Sequence, residues 1–153
     1  MVSEARRELT ALGHPEARIL CCVADVAEEA AMTAAATSTH ARFGAIHALI
    51  NSAGMSLPQE FEATSAQQFE QVLRVNVLGT RNAVAACLPY IRRCTGGNDG
   101  GSSEGGRIVF VSSMAGQTGI FGFTAYSASK FALTGFAQAL QMEVCTCIKL
   151  AVC

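Results

Sequence analysis

A chain of 153 residues, half of them hydrophobic, is the length of one ordinary domain and can bury about 68–70% of its unfolded surface. With only 15% charged residues and a formal net charge of -1, it lacks the field that would draw it broadly to nucleic acid or acidic lipid. No window approaches the roughly 18 apolar residues that span a bilayer, and "MVSEARRELTALGHP" is charged from its fourth residue, so the chain reads as soluble and without a secretory signal.

The helical pattern at 4–12, with Leu9 and Leu12 among charged residues, stops at Gly13-His14-Pro15. "RILCCVADV" (18–26) is a short apolar run ending near Asp25, the pattern of a buried parallel strand. An alanine-rich helix is predicted over 27–42, closed by Gly44, and "IHALINSAG" (46–54) is a second buried strand running into a small-residue turn. Ser65 is placed to cap a long helix over 66–92, on which Phe69, Val72, Leu73, Val77, Val84 and Leu88 recur at helical spacing, with Pro89 near its end. "CTGGNDGGSSEGG" (94–106) reads as a flexible surface loop, followed by a strand at "RIVFVSS", a helix over 125–144 and the start of a further strand at "CIKLAVC".

The seven cysteines, Cys21, Cys22, Cys87, Cys94, Cys145, Cys147 and Cys153, are odd in number and lack Cys-x-x-Cys pairs. They read as reduced thiols of a cytosolic environment rather than as a disulfide or metal framework. His14, His40 and His47 show no ligand spacing, so no metal site is expected.

Strands alternating with helices predict an α/β fold with a parallel sheet and right-handed crossovers. Ligands of such sheets bind at the carboxyl ends of the strands, where Asp25, Asn51 to Gly54 and Ser113 all fall. Tyr126 and Lys130, spaced i, i+4, share one helix face. An ammonium held there favours tyrosinate, which makes the phenol a usable acid and base. Ser113, thirteen residues before Tyr126, can meet the phenol on one carbonyl oxygen if the intervening loop folds back.

Through Asn51-Ser52-Ala53-Gly54, Asn76 in "VNVLG", Ser113 and Tyr126-Ser127-Ala128-Ser129-Lys130, the sequence resembles the short-chain dehydrogenase/reductase family. The resemblance implies a partial Rossmann-like, doubly wound parallel sheet flanked by helices, in a single incomplete dinucleotide-binding domain over 1–153 that lacks the first βαβ unit. It also implies four catalytic residues. Tyr126 is the proton donor, Ser113 the partner of the substrate carbonyl, Lys130 the holder of the nicotinamide ribose, and Asn76 the anchor of a water that joins Lys130 to solvent. Asp25 takes the place of the adenine contact, and Asn51, Ala53 and Gly54 that of the turn beside the adenosine, with Tyr126 and Lys130 completing the cofactor site. Phe121 and Phe123, in the loop before Tyr126, suit a long aliphatic substrate.

Within the family, "RIVFVSSMAGQTGIFGFTAYSASK" most resembles the branch that reduces 3-ketosphinganine with NADPH on the cytoplasmic side of the endoplasmic reticulum. Alternatives are a relative acting on another apolar ketone or steroid with NADP or NAD, and a fragment that only pairs with other subunits through the helices at 66–92 and 125–144. The sequence departs from the family pattern at both ends: the glycine-rich phosphate turn and the segment after the sixth strand are absent. Poor cofactor binding by the isolated chain is the resulting expectation. Simpler readings stand beside these roles: a helix cap for Asp25, an ordinary turn for Asn51 to Gly54, a local kink at Asn76, and core cover for Phe121 and Phe123.

Overall fold

The computed structural model describes residues 2–93, 105–144 and 148–153. Cys94, Cys145, Cys147 and all but the last two residues of the predicted 94–106 loop lie outside the described residues. The first helix, α1 (Val2–Ala11), ends as its sequence requires. Gly13 adopts a positive φ of 89°, and the amides of Gly13 and His14 reach back to the carbonyls of Thr10 and Leu9, the doubly bonded stop that favours glycine.

Residues 18–26 do not form the predicted strand. Glu16–Arg18 make a single 3₁₀ turn, and the residues that follow pair with no other strand, with Val23 86% exposed. An apolar run encodes a wish for burial, whereas a strand exists only through a hydrogen-bonded neighbour, and among the described residues none stands beside this one. Asp25 therefore heads a turn rather than ending a strand: its Oδ1 accepts from the Ala27 amide at 2.9 Å, and its carbonyl accepts from Glu28 at 3.0 Å. Helix α2 (Glu29–Phe43) begins after that turn and closes at Gly44.

Strand β1 (Ala48–Asn51) follows, and Ser65 then caps α3 (Ala66–Leu73) with a full capping box. The Ser65 hydroxyl accepts from the Gln68 amide at 3.2 Å, while the Gln68 side chain accepts from the Ser65 amide at 2.9 Å. The long helix predicted over 66–92 is interrupted. Arg74–Leu78 form a π turn, and α4 (Gly79–Arg93) continues beyond it, through Pro89. A π turn widens the ladder by one residue and commonly sits at a functional site.

Strand β2 (Gly106–Phe110), helix α5 (Thr124–Val144) and strand β3 (Ile148–Val152) complete the fold. The three strands form one parallel sheet in the order β1-β2-β3, with Asn51 opposite Phe110 and Phe110 opposite Val152. Ile108, Phe110 and Ile148 pack with Val84 and Ile91 of α4 and with Leu133, Ala137, Leu140 and Val144 of α5. Phe110 meets Phe136 edge to face at 5.5 Å, and truncating so central a phenylalanine to alanine would cost about 3–5 kcal/mol. This core fixes α5 against β3 and against Phe110 at the carboxyl end of β2. No helix among the described residues is long and apolar enough to cross a membrane.

Candidate active site

Asn51 locks the ends of two strands together. Its carbonyl accepts from the Val111 amide at 2.9 Å, and its side-chain amide donates to the Val109 carbonyl at 3.3 Å. The chain then turns through 52–56 toward the π turn. There Asn76, fully buried, grips the backbone of Met55 as a neighbouring strand would: Oδ1 accepts from the Met55 amide at 2.8 Å, and Nδ2 donates to its carbonyl at 2.9 Å. These bonds clamp the 52–56 wall and are distinct from the water-anchoring role expected of Asn76, and Thr80 donates its hydroxyl to the Asn76 carbonyl at 2.8 Å.

Lys130 is buried on the first turns of α5, and its Nζ donates to the Val111 carbonyl at 2.8 Å. Burial lowers its pKa, because the site offers the ammonium less solvation than water does. The same Nζ lies 5.5 Å from the ring centre of Tyr126, so the spacing of the two residues does bring amine and phenol together. Tyr126 is half-buried, with Phe123 set edge-on at 6.1 Å.

Gly54 faces this pair from the opposite wall. A Cβ there would stand 3.3 Å from Asn76 Oδ1 and 3.9 Å from Lys130 Nζ, so the missing side chain keeps the backbone open beside the ammonium. The cleft, of about 210 Å³, is walled by Ser52, Gly54, Met55 and Ser56 on one side, by Val111 and Ser112 at the end of β2, and by Tyr126 and Lys130 on α5.

Ser113 is the predicted residue that stands apart from this wall. It lies one residue beyond it, and its hydroxyl accepts from the Ala115 amide at 3.1 Å as the cap of the Met114–Gly116 turn. That bond uses a lone pair and leaves the hydroxyl proton for another acceptor. Ser112 lines the cleft instead, and its buried Oγ has no hydrogen-bond partner among the described residues. A Cβ on Gly116 would lie 2.6 Å from that Oγ, so glycine is what leaves the hydroxyl room.

The remaining predicted cofactor residues border a second cavity of about 350 Å³ between α2, β1 and α4, lined by Val26, Asn51, Ser52 and Ala53 among largely apolar neighbours. Ser52 borders both spaces and joins them. Asp25 adjoins this cavity through Val26, with its carboxylate engaged by its own turn. Phe121 is 87% exposed, whereas Phe123 is half-buried and forms an isolated parallel bridge with Gln59, whose amide donates to the Gly122 carbonyl at 2.7 Å. The described residues hold no cluster of histidine, cysteine or carboxylate able to bind a metal.

Sequence reasoning missed Met55, Val111, Ser112 and Ser129. Met55 and Val111 act through backbone groups, which carry no residue-type signal. Ser129 was legible in principle, as a hydroxyl between Tyr126 and Lys130 in sequence on a helix whose buried residues beyond Lys130 are all apolar.

The family model described as short chain dehydrogenase matches residues 2–152. The 3-ketodihydrosphingosine reductase of Bos taurus is 41% identical over 130 residues, covering 82% of this chain and 36% of that protein. The 3-dehydrosphinganine reductase of Danio rerio is 35% identical over 143 residues, covering 92% of this chain and 40% of the relative, so the chain spans well under half the length of these curated relatives. A short-chain dehydrogenase structure from Streptomyces avermitilis superposes with a TM-score of 0.84 at 27% identity, over 99% of this chain and 52% of the other. One from Burkholderia phymatum in complex with NAD shares the fold, with a TM-score of 0.85 at 23% identity over 99% of this chain and 51% of that one. By the extent of the family match and the identity of its relatives, the chain belongs to the short-chain dehydrogenase family.

Proposed function

We propose that this chain carries the catalytic side of an NADPH-dependent reductase that converts 3-ketosphinganine to sphinganine. The observation that carries the reading is the meeting of Tyr126 and Lys130 in one cleft, with bare glycine backbone opposite the amine. Two relatives named for this activity, at 41% and 35% identity, support the choice of substrate.

The residues fit the nicotinamide end of such a cofactor. Lys130 presents an ammonium beside the open Gly54 backbone, where ribose hydroxyls can be held, and the orphan Ser112 hydroxyl offers a further polar contact. When bound, the cofactor supplies the hydride. The chain's own residues orient the ketone and deliver one proton. Tyr126 gives its phenolic proton to the ketone oxygen as negative charge builds there, and the nearby ammonium stabilises the tyrosinate that remains. Ser113, through its free proton, is the second contact to the same oxygen. Asn76 holds the wall opposite, and Phe121 and Phe123 flank the entrance that an alkyl chain would use. Asp25, Asn51 and Ala53 border the adenosine side in this reading.

The test is NADPH consumption by the purified protein with 3-ketosphinganine, with sphinganine identified by mass spectrometry, and with NADH and a steroid ketone run in parallel. Substrate-dependent oxidation with sphinganine as product, reached only at high NADPH in keeping with the poor cofactor binding expected of the isolated chain, is the expected result. Turnover of the steroid ketone alone would move the assignment to another apolar ketone, and oxidation with NADH at an equal rate would overturn the NADPH preference.

A further inference from the structure

Ser129 is fully buried, and its one hydroxyl both donates and accepts, joining two elements. It donates to the carbonyl of Tyr126 at 2.7 Å and accepts from Asn76 Nδ2 at 2.9 Å. Asn76 in turn holds the Met55 amide and carbonyl. A continuous set of short bonds therefore runs from the cleft wall at Met55, through the π turn, to the first turn of α5 at the residue that bears the phenol. The Asn76–Ser129 bond at the centre of the set is buried and the others are part-buried, so each supports its neighbours where water has limited access.

Resting on the function proposed above, we infer that Ser129 is a positioning residue that sets the placement of Tyr126 and Lys130 against the wall carrying Gly54 and Met55. It touches neither substrate nor cofactor. Removing its hydroxyl leaves Asn76 bonded to Met55 and leaves α5 packed on the core through Leu133, Ala137 and Leu140, so the fold persists while the first turn of α5 loses its link to the π turn. A displacement well under the length of a bond network is enough to matter, because reacting groups tolerate little misplacement.

Tyr126 and Lys130 are the only titratable groups among the described residues lining the cleft, so a change in their separation reads out in the pH profile of kcat. The experiment compares S129A, S129C and Y126F in the 3-ketosphinganine assay, with circular dichroism to verify folding. S129A is expected to lose about tenfold in kcat with KM nearly unchanged and to move the midpoint of the pH profile. S129C, of nearly the same volume but with a weak donor, is expected to fall between S129A and the parent, and it decides the matter if S129A fails to fold. Parental kcat and pH profile in the folded serine variants, with Y126F inactive, would overturn the positioning role alone. Loss of kcat with the pH profile unmoved would also overturn it, as general structural damage. Full activity of Y126F would instead overturn the proposed function.

Discussion

The cleft wall built by the π turn and α5 and the stretch from Ile19 to Glu28 are held in different ways. Around the cleft, buried polar groups are tied across long sequence separations: Asn76 to Met55 and Ser129, and Lys130 to Val111. In the stretch ahead of α2, Asp25 bonds only to its own turn, and Val23 is largely exposed. The long-range ties there are the Asn82 side chain donating to the Val26 carbonyl at 3.1 Å, the packing of Gly79 on Val26 and the solvent-exposed ion pair of Glu28 with Arg74. Precision is thus concentrated around the cleft in which the proposed function moves a proton, and the region proposed for the distal part of a cofactor is more lightly held.

The largest effect that can break this contrast is on chemistry. Y126F, folded as the parent, is expected to lose at least about 100-fold in kcat, measured as NADPH oxidation with 3-ketosphinganine. Retained activity would show that the well-ordered wall is not the reacting one. Next, N76A strands the Met55 amide and carbonyl and one lone pair of Ser129 in the interior. Stability should fall by about 3 kcal/mol, read as a drop of roughly ten degrees in Tm. A drop of only a degree or two would mean that the clamp is not what orders the site.

G79A sharpens the other side of the comparison. Its Cβ would stand 2.6 Å from Val26 Cγ2, so Val26 must move. Because the 19–28 stretch is lightly held, the cost is expected at the low end for overpacking, about 1 kcal/mol, with faster amide exchange confined to residues near Val26. Exchange that spreads into α5 would show the two regions to be rigidly coupled.

The smallest effect concerns Lys130, whose pKa burial lowers. Between that lowered value and the ordinary lysine value of about 10.4, the unfolded chain binds more protons than the folded one, so this residue makes stability rise with pH across that window. Below the window the cost of burying the ammonium is present in full. K130M should therefore match or slightly exceed the parent in Tm at neutral pH and lose that advantage as pH climbs toward the upper limit, while activity is abolished. A K130M variant that melts well below the parent at neutral pH would contradict this account.

Much of this was written in local patterns. The Tyr126–Lys130 spacing, the Ser65 cap, the apolar runs of β1 to β3 and the glycine stops of α1 and α2 depend on neighbours a few residues away, and the structure bears them out. The failures were non-local. The run at 18–26 had the composition of a strand but no partner to ladder with, and sequence cannot supply a partner. The π turn at Arg74–Leu78 adds one residue to a turn while apolar residues on both flanks keep helical spacing, so the slip leaves no trace in periodicity. The position of Ser113 one residue beyond the wall that Ser112 lines, with its role in the site left as proposed, follows from a cap that forms only once β2 ends and the 3₁₀ turn begins.

The single rung between Gln59 and Phe123 has a mechanical consequence. It joins the segment leaving the Asn76 clamp to the loop that precedes the phenol-bearing helix, two pieces of chain more than sixty residues apart. Replacing Gln59 by proline would remove the amide that makes this rung and leave the Gly122 carbonyl without its partner, so the loop ahead of Tyr126 is expected to exchange its amides faster.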